Sequence, residues 1–360
     1  MGKVKIKKPY DSIIIFASTI IVVRLIGWFK VFSDKVFPSL NQFFAKILYS
    51  FFSCFSFSAG DVFYTLFVLA GLIFFIHIAR LIISKNKIRL MKRISFLFYF
   101  LTIIYLVFHL LWGFNYYKTP LKESYNTEDI HLDELKDLAG FYLKKSIDDR
   151  SRVKENANGV FEFELTQKQI DSLIMESSQK LRKNYKELKF TNNMPPNIKV
   201  SQYSIMFSYL GVLGYYNPFT NEGQYNDKMP HTKMLFTQMH ETAHQWGFAP
   251  ENEANFIGFL IGSGSDCADF QYVSHYMALR QILNRIVWED PKFVELLMKK
   301  YSSGMKRDRT YEIQVQLKYH HSADDAFSML NEAYLRLNNQ DGLESYGKFV
   351  ELLVGYNRKY

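Results

Sequence analysis

The sequence predicts a mainly α protein in two parts, three transmembrane helices followed by a mostly helical domain outside the bilayer with a small β element. Three observations carry this. Apolar residues crowd the first third of the 360-residue chain, in runs near the roughly 20 residues that cross a hydrocarbon core. Basic residues crowd there too: residues 1–114 hold 14 Lys and Arg against Asp11, Asp34 and Asp61, a net of +11, whereas residues 115–360 net −2. Beyond residue 130 the apolar positions recur mostly at helical spacing, and only short stretches alternate as strands do.

Composition removes several classes. With 48% hydrophobic residues, 33 Phe, 24 Tyr and 9 Pro, the chain is neither disordered, collagen-like nor a disulfide scaffold. The overall charge of +9 would suit a nucleic-acid binder, but the excess belongs to the membrane flank and the rest has no clustered Lys/Arg stripe. Nucleic acid is therefore not an expected partner. Cys54 and Cys267 fall in different parts, so no disulfide closes within the soluble part.

The first span runs about 12–29, behind the basic leader Lys3 to Lys8, and no small-x-small cleavage site follows it, which predicts an uncleaved anchor. Residues 39–57 are also apolar, but Phe43, Phe44, Ile47, Leu48, Phe51, Phe52 and Phe55 oppose Gln42, Lys46, Ser50 and Ser53, the pattern of an amphipathic interfacial helix. Spans at about 62–83 and 94–114 complete a membrane domain of residues 1–114. Three crossings put both basic segments, Lys3 to Lys8 and Lys85 to Arg93, on the cytoplasmic side, as the positive-inside rule requires. The expected location is the cell (inner) membrane, with the N-terminus cytoplasmic and the C-terminal domain periplasmic or extracellular. Arg24, His77, Arg80 and His109 lie mostly near span ends, where side chains snorkel, and receive no role.

After the third span, Trp112 to Tyr117 reads as an aromatic interface belt, followed by a short polar linker, 115–129. The domain 130–360 shows helical patterns at Leu132–Ser151, Thr166–Tyr185, Lys233–Trp246, Pro250–Ser263, Asp266–Val287, Pro291–Tyr301, Ala323–Asn338 and Tyr346–Tyr356. Strands are expected around Val160–Leu165, Ile198–Ser204 and Gly223–Asn226.

The segment that carries chemistry is His240-Glu241-Thr242-Ala243-His244, an HExxH motif. On a helix, residues four apart lie one turn above each other, so His240 and His244 can bind one metal ion. Glu241 stands beside that ion without ligating it and can take a proton from water as general base. Imidazole and carboxylate ligands with an open position point to Zn2+. Gly247 signals the end of this helix and Pro250 the start of the next. There Glu251 shares a stripe with Ala254, Asn255, Gly258 and Gly262, whose small residues allow close approach, and Glu251 is the expected third ligand. Asn255, one turn on, can hydrogen-bond a ligating histidine. Glu253 points elsewhere, as a solvent-facing or capping carboxylate, and stands as the alternative ligand.

The run His240-Glu241-x-x-His244 with Glu251-x-x-Ala254-Asn255 resembles the gluzincin zinc metallopeptidases, with Asn255 where an Asp is usual and a short step from His244 to Glu251. A longer resemblance covers most of the chain. Phe57-Ser58-Ala59-Gly60-Asp61, Asn115-Tyr116-Tyr117 through Pro120-Leu121, Gly214 through Thr220, the motif through Asn255-Phe256, and Ser345-Tyr346-Gly347 are similar to an uncharacterised bacterial multi-pass membrane family, domain-of-unknown-function family 3810. The resemblance implies a zincin-like extracytoplasmic domain and no established substrate.

The expectation is a membrane-anchored zinc metallopeptidase, with the lipid bilayer and a peptide or protein substrate as partners. Glu241 is its catalytic base, and His240, His244 and Glu251 are its metal ligands. A non-catalytic zinc-stabilised envelope module, or a hydrolase of cell-wall peptide or lipid amide, are the rivals. The Gly214–Asn226 stretch is either an edge strand along the cleft or a packed aromatic loop. Tyr215, Tyr216, His275 and Tyr334 are the candidates for an oxyanion donor. His320-His321 reads as structural, next to a helix N-cap.

Overall fold

A computed structural model of the protein describes residues 9–319 and 345–360. Helix α1 (Pro9–Trp28) leads through a π-helical turn at Phe32–Val36 into α2 (Phe37–Phe52), then α3 (Ala59–Ile83) and α4 (Lys87–Leu111). Among the described residues, α1, α3 and α4 are long and apolar enough to cross a membrane. Local chemistry sets their starts. Ser58 caps α3 by accepting the Asp61 N–H at 3.0 Å, and Asn86 caps α4 by accepting that of Arg89 at 3.2 Å. Helix α4 begins seven residues before the expected span because Lys87, Arg89, Lys92 and Arg93 continue the helix.

The remainder is helical around one small sheet: α5 (Leu132–Arg150), α6 (Gln167–Asn184), β1 (Ile198–Val200), α7 (Ser204–Tyr209), β2 (Gly214–Asn217), β3 (Glu222–Tyr225), α8 (His231–Gln245), α9 (Glu251–Ser263), α10 (Ala268–Ile286), α11 (Pro291–Lys299), α12 (Ser303–Tyr319) and α13 (Ser345–Lys359). The mostly helical fold with a small β element is as the sequence predicts. The α6 boundary is a capping box between Thr166 and Gln169, and α11 starts at an Asp290 cap followed by Pro291. The expected helix at Ala323–Asn338 lies outside the described residues, as do His320, His321 and Tyr334.

Helices α8, α9, α10 and α13 share one core, in which Met239, Trp246, Phe256, Phe270 and Phe349 are fully buried. A buried ion pair fastens α5 to α12, with Arg150 Nε donating to Asp308 Oδ2 at 2.6 Å. The same carboxylate accepts the Phe161 N–H at 2.8 Å, and His231 Nδ1 accepts that of Phe163 at 3.3 Å. This explains one correction. The expected strand at Val160–Leu165 is not a strand, keeping only a bridge from Phe161 to Glu155: the Glu162 N–H donates to Lys154 O, but side chains take the N–H groups of Val160, Phe161 and Phe163, where a continuous ladder would need a neighbouring strand.

The sheet order is β1-β3-β2, with β1 parallel and β2 antiparallel to β3. Strand β2 is thus an edge of the sheet bordering the motif helix, and β3 is central. The stretch expected as a polar linker is packed. Lys118 Nζ donates to Lys189 O, Thr191 Oγ1 and Gly247 O, and Thr119 donates twice to Asp34.

Candidate metal centre

Gly247 ends α8 in the left-handed region, at φ +89°, where a Cβ would lie 2.2 Å from Thr191 Oγ1. This turn reverses the chain within a few residues, so that α9, starting after Pro250, runs back along α8. Gly258 lets the two backbones approach, since a Cβ there would meet the His240 backbone N at 3.3 Å. The small-residue stripe thus does what its spacing implies. It brings Glu251 over the two histidines.

His240 Nε2 lies 3.2 Å from Glu251 Oε2, and His244 Nε2 lies 3.5 Å from Glu251 Oε1. One ligand atom from each residue falls within 4.8 Å of the others. The far side of each ring is tied: His240 Nδ1 pairs with Asn255 Oδ1 at 2.9 Å, and His244 Nδ1 with Phe248 O at 2.8 Å. Both partners are acceptors, so each Nδ1 carries a proton and each Nε2 is left facing the Glu251 carboxylate at the shared point. Two imidazole nitrogens and a carboxylate grouped around one point are a donor set that fits zinc. Burial lowers the His244 imidazole, but the Glu251 carboxylate beside it overrides this and pushes it up to about 9. Burial raises Glu251, yet the His244 charge and hydrogen bonds from both imidazoles hold it well below the usual carboxylate range.

Glu241 points from the same helix toward β2. Its side chain is buried, its Oε2 has no hydrogen-bond partner among the described residues, and burial pushes its carboxyl up to about 7 against the pull of the histidines. Room for it is made by Gly214, where a Cβ would stand 2.7 Å from Glu241 Oε1. An unpartnered buried carboxylate oxygen in a cleft is costly and suits a group that receives a proton in use.

Glu253, the alternative ligand, is directed away from the centre. It is buried, not solvent-facing, and its Oε1 accepts the Leu121 N–H at 2.7 Å, capping the 3-10 helix Leu121–Ser124. Burial raises its carboxyl, which the Leu121 N–H and Lys118 partly oppose. Three oxyanion candidates are otherwise engaged or distant. Tyr215 donates to Asp61 Oδ1 at 2.7 Å, Tyr216 to Asn221 Oδ1 at 2.8 Å, and His275 pairs with Asp149 at 2.5 Å between α10 and α5.

Several contributors escape sequence reasoning. Trp112 serves the centre as well as any interface belt: its Nε1 donates to His244 O at 3.1 Å and its ring lies 6.1 Å from that of His244. Asp61, buried at the head of α3, accepts from Ser201 Oγ, Gln202 N and Tyr215, binding a long apolar helix to the sheet. Glu222 on β3 pairs with Lys199 and accepts the Gly60 N–H at 2.6 Å. The Ser58-x-x-Asp61 spacing signals a helix start, but nothing in the sequence says which sheet that start meets.

The family described as "Protein of unknown function (DUF3810)" matches residues 36–354, and the chain belongs to it. No curated protein and no solved structure matches the chain.

Proposed function

We propose that the protein is a membrane-anchored zinc-dependent hydrolase of the zincin kind, a peptidase acting on the extracytoplasmic side. One observation carries this reading: two histidines held by their far nitrogens, a carboxylate closing over them, and a buried carboxylate beside them with an oxygen unpartnered among the described residues. His240, His244 and Glu251 would hold the ion, which when bound lowers the pKa of water to about 7 and polarises a carbonyl. Glu241 takes the proton of the attacking water and returns it to the leaving amine. Its buried position beside the two histidines, with Oε2 unpartnered among the described residues, suits a group that must do both.

The open edge of β2 supports a peptide over other amides. In the antiparallel pair, Asn226 N donates to Leu213 O, so by alternation Tyr215 and Asn217 bond to β3 while Gly214 and Tyr216 turn their backbone groups outward into the cleft. Those groups suit an extended backbone laid beside the metal centre. A purely structural zinc site is less well supported, because among the described residues three side chains, not four, converge.

The test is metal content and hydrolysis of a diverse peptide pool by the detergent-purified protein. Near one zinc per chain is expected, with Glu241→Gln keeping the metal and losing about 100-fold or more of the rate. Equal rates in Glu241→Gln and the unaltered protein would remove the catalytic reading.

A further inference from the structure

The metal centre does not open only toward water. It forms part of a cavity of about 880 Å³ whose walls come from both halves of the molecule. On one side are Lys233, Thr237 and the motif residues of α8, with Arg280 of α10 beyond them. On the other are Phe16 of α1, Tyr64 of α3, and Leu101, Ile104 and Phe108 of α4. Leu101 lies ten residues before the end of α4 at Leu111, about 15 Å along the helix, half the thickness of a hydrocarbon core. Helices α1 and α3 each pack against α4 and have at most marginal contact with one another, so the α4 face between them is the floor of a groove.

Polarity changes along this cavity in one direction. The α4 end is aliphatic and aromatic, the middle holds His240, Glu241 and Glu251, and the far end holds Lys233, about 10 Å beyond His240 along α8, with Arg280, which pairs with Glu312 at 2.6 Å. A polar peptide free in water would leave the first of these regions unfilled. A chain that leaves the bilayer would fill all three, its apolar part on α4, its scissile bond at the metal, and its water-side part beside the cationic end. The backbone groups of Gly214 and Tyr216, which border the same cavity, favour a polypeptide over a lipid as occupant.

Resting on the hydrolase reading above, we infer that the substrate is a membrane-embedded polypeptide, which reaches the metal centre laterally, between α1 and α3, with the apolar residues next to its scissile bond seated on α4.

The test uses the full chain in phosphatidylethanolamine/phosphatidylglycerol vesicles, as the Glu241→Gln variant, so that occupancy is read without turnover. A photo-crosslinking amino acid replaces Leu101. Two probes carry one extended sequence of ten residues, either free or joined to a 20-residue apolar transmembrane segment. The tethered probe should crosslink at position 101 at least tenfold more than the free one. Ile104→Trp, which fills the groove, should reduce that signal at least tenfold. Ile103→Trp, on the outward face of α4, should not. Equal crosslinking by the two probes, a signal indifferent to Ile104→Trp, or capture of an N-acyl lipid amide in preference to the tethered peptide each overturns the inference. Crosslinking that persists in a protein whose unaltered form cuts nothing would sink the hydrolase reading alone. Cleavage of the free peptide with no groove crosslinking would sink only the membrane-embedded substrate.

Discussion

The two halves of the molecule differ in how many of their large apolar residues face outward. In the domain of α5 to α13, Trp246, Met239, Phe256 and Phe259 are sealed inside. Around α1 to α4 the arrangement is inverted: Phe43, Ile47, Leu72 and Phe75 face outward, while Ser33, Asn41, Asp61 and His109 are buried. Their hydrogen bonds explain the inversion. Ser33 Oγ donates to Gly27 O at 2.6 Å and Asn41 Nδ2 to Leu111 O at 2.5 Å, the internal pairing demanded of polar groups that lipid cannot satisfy. Water drives apolar groups inward in one half, and the outward apolar faces of the other are compatible with membrane anchoring. The candidate metal centre lies at the seam, where Trp112 and Asp61 reach from the apolar helices to α8 and the sheet.

The sharpest way to break this contrast is one substitution made twice. Phe259→Asp buries an unpaired charge and should cost about 5 kcal/mol, enough to remove the folded domain, as read by protease resistance. Leu72→Asp, near the middle of α3, should leave that domain folded and cost about 3 kcal/mol of membrane insertion, as read by carbonate extraction. If Leu72→Asp extracts like the unaltered protein, the outward apolar face of α3 does not meet lipid.

At the seam, Asp61→Ala leaves Tyr215, Ser201 and the Gln202 N–H without their acceptor and should destabilise the domain by about 3 kcal/mol in detergent. An effect confined to α3, with domain unfolding unchanged, would show that the two halves are stable independently. Two glutamates two residues apart separate metal binding from packing. Glu253→Ala should keep zinc and lose about 2 kcal/mol through the orphaned Leu121 N–H, whereas Glu251→Ala should lose zinc. Retention of zinc by Glu251→Ala would remove it from the ligand set. Gly247→Ala should cost about 1–2 kcal/mol, because an L residue is strained at φ +89° and its Cβ meets Thr191. The smallest effect is expected from Ile47→Ser on the outward face of α2, within about 0.5 kcal/mol for domain unfolding in detergent, with weaker partition of the protein into vesicles.

Elements whose signal is local were readable in advance. The apolar runs of α1, α3 and α4, the helix starts near Thr166 and Pro291 and the Gly247 stop each act over a few residues, and the structure contains them. The same holds for the small stripe of α9, which turns Glu251 toward the histidines and Asn255 onto His240. What misled was backbone satisfaction from afar. Val160 to Leu165 alternates like a strand, but Asp308, 147 residues beyond Phe161, takes the hydrogen bond a strand would have made. Helix α12 was not expected, and Glu253, polar and near a helix start, gave no sign that it would be buried under Leu121.

The sequence by itself determined the helical class, the apolar N-terminal third and the HExxH arrangement, because helix periodicity, hydrophobic run length and i, i+4 geometry depend only on neighbours along the chain. Only the tertiary structure decided that β2 forms an edge of the sheet, that Tyr215 and Tyr216 give their hydroxyls to Asp61 and Asn221, and that the candidate metal centre shares a cavity with α4. Those outcomes depend on which distant groups meet once buried polar atoms must all find partners, and no local pattern encodes that choice.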